Sequence, residues 1–317
     1  MIRRALRRIG ASLVVVWAVL TLTFLVHHAL PSDPARAMAG PQARPADVAE
    51  IRTQLGLDRP LWSQYGRYMG RLLRGDLGES FQRHAPVTEI LEERVWNTAK
   101  LAGAAIVLQV LLGTLAGMVA ALRRGTWLDH GTIALTLLGI SAPTFLTGLI
   151  LQYWLAYRLQ LVPFDGFGGT FTEQMRAMVL PALTLGLFGA AFYARFVRDE
   201  ILGILSEDYM RTARAKGLPR WRVLVVHGLR NALVPLVTLV GMDLGAMMGG
   251  AVVTEKLFRW PGIGALTVDA VLSRDGPVIM GIVLVTSVAI VAANLVVDVL
   301  YAILDPRTRR PSEGSQY

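Results

Sequence analysis

The amino-acid sequence predicts an all-α, polytopic membrane protein, and three observations carry that expectation. Of 317 residues, 53% are hydrophobic and only 17% are charged, whereas a soluble chain carries about 25% charged residues. The apolar residues are also clustered. The windows 9–32, 101–122, 131–157, 177–194, 231–254 and 276–297 each hold at most one Asp, Glu, Lys or Arg. As helices they are long enough for a hydrocarbon core of about 30 Å, which takes about 17–25 residues. Six transmembrane helices are therefore expected. The third observation is the placement of Lys and Arg. With the N-terminus inside, segments 1–8, 123–130, 195–230 and 305–317 hold 17 of the 32, and the short outer loops 158–176 and 255–275 hold five. That is the positive-inside pattern, so both termini are expected in the cytoplasm. The long segment 31–100 holds ten more, but long loops cross largely regardless of charge.

The first window follows the basic start "MIRRALRR". It is longer than the 7–15 residues of a signal-peptide core and ends in "LPSDP", so an uncleaved helix is expected. Residues 31–100 form the one sizeable polar region. There "ADVAEIRTQLGL" and "LWSQYGRYMGRLLRG" read as short helices with "LDRP" as the turn between them. "VTEILEERVWNTAKLAG" sets Val87, Ile90, Leu91 and Val95 on one helical face and runs straight into the second window. The region reads as an external cap on the membrane surface.

Between the fourth and fifth windows, residues 199–217 read as a helix with Asp199, Glu200, Glu207 and Asp208 early and Arg211, Arg214 and Lys216 late. That order complements the helix dipole. Gly217 supplies a stop, and Pro219 suits the first turn of a new helix carrying Trp221, Leu224 and Val225. The block is an elbow facing the cytoplasm. A basic juxtamembrane loop touching anionic lipid would account for its charge. The small residues Ala213, Ala215 and Gly217 threaded through it let another surface approach, which points to a docking element for a protein partner.

The fifth window, "NALVPLVTLVGMDLGAMMGGAVVT", holds the one mid-helix acid, Asp243. Nine Leu and Val residues contribute about −0.3 to −0.6 kcal/mol each, and a central Asp costs about +2.5 to +3.5. The terms nearly cancel, so this helix should not face lipid. Gly241, Gly245 and Gly249 form a small-residue stripe for close packing. Asp243 lies about 160° from Gly245, on the side of Ala246, Met247 and Gly250. An intramembrane acid is by default a pathway residue, with a structural hydrogen bond as the alternative.

Other signals exclude more than they offer. No cysteine is present, which rules out disulfides, thiolate metal sites and cysteine nucleophiles. Adjacent His27 and His28 point apart on a helix, so no metal site is expected. "GDLG" and "GFGG" lack the strand–helix setting of nucleotide loops, and no Walker, H-E-x-x-H or G-x-S-x-G sequence occurs. No catalytic residue is expected, no cofactor in this chain and no nucleic-acid partner. An ion-coupled secondary carrier usually shows several intramembrane ionisable groups and internal repeats. This chain shows one such group and no repeat, so a stand-alone carrier is the lesser alternative. The excess of 29 Arg over 3 Lys fits a GC-rich bacterial genome.

Several blocks in order then define a family resemblance: "LPSDPA", "LGLDRPLWSQY", "GDLGES", "ISAPTF", "LPALTLGL", "GGAVVTEKLFRWPGIG" and "LDPR". The whole chain resembles the permease subunits of bacterial ABC importers for dipeptides, oligopeptides and nickel, of the dipeptide permease B type. "RTARAKGL" is similar to that family's cytoplasmic EAA loop, although Arg211 and Thr212 stand at its first positions and Pro235 follows at a longer interval. The resemblance implies a type I ABC importer permease fold in the bacterial inner membrane. Its parts would be helix one (1–30), a periplasmic helical cap (31–100), a transmembrane core (101–304) with the coupling loop at 199–230, and a cytoplasmic tail (305–317).

Coupling to an ATPase would fall to Tyr209, Arg211, Ala213, Arg214, Ala215, Lys216 and Gly217. Ser141, Asp243 and Met247 would line the pathway, and Trp260, Pro261, Gly262 and Gly264 the outer mouth, where Trp260 as a plain interfacial anchor is the alternative. Implied partners are a second permease subunit as a heterodimer, one or two ABC ATPase subunits that bind ATP and Mg, an extracytoplasmic substrate-binding protein, and the bilayer. The implied cargo is a dipeptide or oligopeptide, with nickel or glutathione as alternatives within the family.

Overall fold

The computed structural model describes residues 2–29, 34–40, 42–208, 210 and 230–304. Among them the chain is helical, with no β-strand and one isolated bridge between Glu79 and Pro86. The helices are α1 (Ile2–Ala29), α2 (Pro34–Ala39), α3 (Pro45–Leu55), α4 (Leu61–Leu72), α5 (Val87–Leu122), α6 (Trp127–Ser141) and α7 (Thr144–Leu151). A π-helical stretch, Gln152–Arg158, extends α7. Then come α8 (Phe171–Ser206), α9 (Arg230–Met248), α10 (Val252–Leu257), α11 (Ile263–Leu272) and α12 (Gly276–Leu304).

The spine is the pair α5 and α8, each of 36 residues. At about 1.5 Å per residue each is about 54 Å long, well beyond a hydrocarbon core of about 30 Å. The start of α8 is fixed by a capping box. Glu173 N–H donates to Thr170 Oγ1 at 3.3 Å, and the Thr170 and Gly169 N–H groups donate to Glu173 Oε2 at 3.1 and 2.8 Å. Pro181 lies inside α8 without ending it, as membrane helices tolerate. The two helices approach closely at Gly113 and Gly117. A Cβ at Gly113 would lie 3.0 Å from the Ala190 carbonyl oxygen, and one at Gly117 would lie 3.1 Å from Arg198 N.

In each of the six apolar windows most of the described residues are helical. By length and hydropathy, α5, α8 and the Gly276–Val297 part of α12 suffice to cross a membrane alone. The α6–α7 pair makes a fourth span if counted as one, and Gly10–Val26 of α1 and Pro235–Met248 of α9 are shorter apolar helices. Three boundaries differ from the sequence expectation. The window 131–157 is not one straight helix but a pair bent by 104°. Ala142 is extended (φ −77°, ψ 130°) because Pro143 disfavours helix at the residue before it. The helix expected to begin at Asp199 is instead the continuation of α8, unbroken to Ser206. The window 231–254 is divided at Gly250, whose φ of +92° turns the chain from α9 into α10.

The two short helices expected in 31–100 form as α3 and α4. Helix α3 ends at Gly56 in the left-handed region (φ 62°), with Gly56 and Leu57 N–H groups donating to Thr53 and Arg52 carbonyls. Helix α4 lies on α1, where Phe24 stacks on Tyr68 (5.6 Å) and meets Tyr65 edge-on (5.3 Å). The Thr21 and Tyr65 hydroxyls share a hydrogen bond of 2.7 Å. Beside the cap, Val87 and Leu91 of α5 form a core with Ile263 and Leu266 of α11 and Val278 and Ile282 of α12.

Candidate functional site

The end of the bundle where α5 begins is organised around a carboxylate. Glu255 on α10 is fully buried. Its Oε1 accepts from Thr98 Oγ1 on α5 at 3.0 Å and its Oε2 from Ala265 N–H at 2.9 Å; the Gly264 N–H also donates to it. Ile263 N–H donates to Thr98 Oγ1 at 2.8 Å. Gly262 is the N-cap of α11, so the free N–H groups of its first three residues are all satisfied by Glu255 and Thr98. A negative charge at a helix N-terminus is also favoured by the dipole. Burial pushes the Glu255 carboxyl above the ordinary glutamate range, against the opposing effect of these donors.

The four mouth residues gather around this carboxylate. Trp260 is 1% exposed. It is therefore not the interfacial anchor of the alternative reading. Its Nε1 donates to the Asn97 carbonyl at 3.1 Å, and Phe167 meets its ring edge-on at 4.9 Å. Asn97 Nδ2 in turn donates to the Pro261 carbonyl at 3.2 Å. A Cβ at Gly262 would run into the Glu255 carboxylate, and one at Gly264 would lie 2.8 Å from Val252 Cα. Both positions need glycine because neighbours approach this closely. Two ion pairs hold the rim: Arg259 with Asp165 at 3.1 Å, and Lys256 with Asp269. The "GDLGES" block joins the same end. Ser80 Oγ donates to Asp275 Oδ2 at 2.5 Å and Phe81 N–H to Asp275 Oδ1 at 3.2 Å, next to the start of α12.

In the middle of the bundle, the glycine stripe of α9 faces α12. A Cβ at Gly241 would run into Val297, one at Gly245 would lie 3.8 Å from Ala293 Cβ, and one at Gly249 3.4 Å from Thr286 Cγ2. Asp243 points the other way, into the angle between α5 and α8. Its Oδ2 accepts from Gln109 Nε2 at 3.1 Å, and the Tyr193 hydroxyl adjoins it. The Tyr193 hydroxyl is buried between the Asp243 carboxylate and the Gln109 amide. Met247 lies one turn outward, against the core of Leu101, Ala105, Leu185 and Trp260. Ser141 is exposed at the α6–α7 bend, away from this cluster, so the three expected pathway residues are not brought together.

At the opposite end, where α5 gives way to α6, Arg198 of α8 grips Asp129 of α6 with two hydrogen bonds, Nε to Oδ1 at 2.6 Å and Nη2 to Oδ2 at 3.1 Å. The Asp129 side chain is 4% exposed, and Gly125 N–H adds a bond at 2.9 Å. The basic block begins just beyond this pair. Tyr209, Arg211, Ala213, Arg214, Ala215, Lys216 and Gly217 all lie outside the described residues.

Sequence reasoning missed Glu255, Thr98, Gln109, Tyr193 and the Asp129–Arg198 pair. Glu255 had one visible signal: it is a carboxylate inside "TEKLFRWPGIG", immediately after an apolar window.

Two family models cover nearly the whole chain. "Binding-protein-dependent transport system inner membrane component" matches residues 113–310, and the N-terminal membrane component of the same systems matches residues 1–102. The chain is similar to the glutathione transport system permease protein GsiC of Salmonella paratyphi A, at 42% identity over 98% of this chain and 99% of that protein. The Escherichia coli K12 protein of the same name is 40% identical over the same shares. Among solved structures, the inward-facing MetNI methionine ABC transporter matches with a TM-score of 0.57 at 17% identity, covering 69% of this chain and 97% of that chain. That likeness shows the type I importer permease fold. From the two family matches and these relatives, the chain belongs to the inner-membrane permease components of binding-protein-dependent transport systems, the membrane subunits of ABC importers.

Proposed function

We propose that this permease forms one half of an inward passage for short peptides, with glutathione, itself a tripeptide, as the first cargo to test. The observation that carries this is the similarity to glutathione permeases at 42% identity along the full length of both chains. The likeness spans the cap as well as the bundle, so it includes the face that receives cargo. Family membership supplies the partners in outline: a second permease, ATPase subunits and a binding protein.

In this reading both termini are cytoplasmic, the 31–100 cap receives the loaded binding protein, and the 199–230 loop carries Tyr209 and Arg211 to Gly217 into a groove of the ATPase. ATP and Mg belong to that partner. ATP binding favours the outward-open state and hydrolysis resets it. The Glu255–Thr98–Trp260 cluster braces the outer mouth. Asp243 locks α9 to the α5–α8 spine through Gln109, which favours a structural role for the acid over direct contact with cargo.

Affinity purification of the tagged chain from its host, followed by mass spectrometry of the co-purifying subunits and [35S]glutathione uptake, tests the proposal. Recovery of a second permease and ATPases, with uptake lost on deletion of this chain, is expected. Assembly with a binding protein that takes up dipeptides and leaves glutathione outside would overturn the cargo assignment. Gly217→Val and Arg214→Glu address the coupling loop. Each should leave assembly intact and abolish transport, and normal transport by both would remove the loop from that role.

A further inference from the structure

Between the cap and the outer ends of α1 and α12 lies a cavity of about 990 Å³. Its lining divides by chemistry. Phe24 of α1 and Pro277 and Met280 of α12 form an apolar wall, while Arg67, Arg71 and Arg74 reach it from α4 and the residues after it. Arg67 and Arg71, one turn apart, share a helix face. Arg67 gives one guanidinium N–H to the Gly56 carbonyl at 2.9 Å. Arg71 and Arg74 make no ion pair and no side-chain hydrogen bond with a described residue. Two carboxylates, Asp76 and Glu79, also line the space, leaving an excess of positive charge. Asp76 already accepts from Gly78 N–H at 2.8 Å.

Tyr68 is the independent observation. It lines the same cavity, is 6% exposed, and its hydroxyl has no hydrogen-bond partner. A buried hydroxyl without a partner carries an unrepaid desolvation cost, so an acceptor in the cavity relieves a standing penalty. Burial pushes this phenol up to about 12, which keeps it a donor throughout the physiological range. Two uncommitted guanidinium groups and one orphaned hydroxyl together ask for an anion rich in acceptor oxygens.

The apolar wall says what the anion is attached to. Phe24, Pro277 and Met280 lie within the apolar windows of their helices, near the ends that join the polar cap. That is the depth at which headgroups meet acyl chains. We propose that the cavity binds an anionic phospholipid, its phosphate between Arg71, Arg74 and the Tyr68 hydroxyl, and the root of its acyl chain against Phe24 and Met280. The lipid would fasten the cap to the bundle. This holds for either leaflet and is independent of the transported cargo.

The test is native mass spectrometry of the assembled transporter in mild detergent, titrated with phosphatidylglycerol or phosphatidylcholine. Phosphatidylglycerol should be retained more tightly. The Arg71→Ala/Arg74→Ala double variant should weaken its retention by about tenfold or more, given the strength of charged hydrogen bonds. Tyr68→Phe keeps the ring stacked on Phe24 and should weaken retention about threefold while the complex stays assembled. It remains informative if the arginine variant fails to fold. Equal retention of the two lipids, or retention by Tyr68→Phe and the arginine variant at the wild-type level, would overturn the proposal. So would displacement of the lipid by an equal concentration of inorganic phosphate, which would make the ligand a free anion.

Discussion

Thr98→Val is the sharpest probe of the outer mouth, because it removes one hydroxyl and almost no volume. Thr98 is 1% exposed. Its Oγ1 donates to Glu255 Oε1 at 3.0 Å and accepts from Ile263 N–H at 2.8 Å. Valine fills the same space but leaves two buried polar groups short of a partner, at about 1–3 kcal/mol each. The expected loss is about 3 kcal/mol, with about 6 as the upper bound. Thr98→Ser keeps the hydroxyl and gives up a methyl, which costs about 1 kcal/mol. Melting of the purified complex should therefore show valine lower than serine. At about 2 °C per kcal/mol for a chain of this size, the losses are about 6 °C and about 2 °C. A serine variant as destabilised as the valine one, or a valine variant that melts with the wild type, would show that packing and not the hydroxyl relay holds α5 to α11.

Glu255→Gln should flatten part of the pH dependence of stability. Burial raises the Glu255 carboxyl above 4.5, so between 4.5 and the raised value the folded chain binds more protons than the unfolded chain. Stability then falls as pH rises through that window, and glutamine, which does not titrate, should remove that slope in melting curves taken across it. Asp129→Asn leaves Arg198 without its bidentate partner and should cost about 3 kcal/mol, read as a lower melting temperature and lower yield. Gly113→Ala would press a Cβ to 3.0 Å from the Ala190 carbonyl oxygen and should cost about 1–3 kcal/mol. Gly245→Ala meets Ala293 Cβ at 3.8 Å and should be close to neutral. Equal losses at the two glycines would refute the difference in packing.

What could be read in advance follows from the range over which each feature is determined. Hydropathy is local, so most of the described residues in all six windows are helical. The angular relation on α9 is local too. A rotation of about 160° between Gly245 and Asp243 is enough to send the stripe to α12 and the acid to Gln109. The bend at 141–143 was also present in the sequence, in Pro143, but an apolar window carries no sign for direction. Glu255 was out of reach because its partner Thr98 stands 157 residues away, and only the packing of α5 on α11 brings them together. The choice between the two readings of Trp260 was out of reach for a related reason. An aromatic residue beside an apolar window looks interfacial until the fold supplies Phe167 and the Asn97 carbonyl to bury it.

The distribution of these contacts bears on how force crosses the membrane. Helix α8 is continuous from the capping box at Thr170 to Ser206. Sliding along α5 is blocked where Gly113 and Gly117 admit no side chain. Asp129 clamps the inner part of α8 to α6, and α5 carries Asn97 and Thr98 into the outer mouth. A push on the Ser206 end of α8 therefore meets a continuous helix as far as the residues that pack on Trp260. Close-packed interfaces of this kind shift between discrete arrangements and do not deform continuously. Movement should then appear where the polypeptide is broken: at the 104° bend between α6 and α7 and at the Gly250 turn between α9 and α10. The spine transmits, and the bends yield.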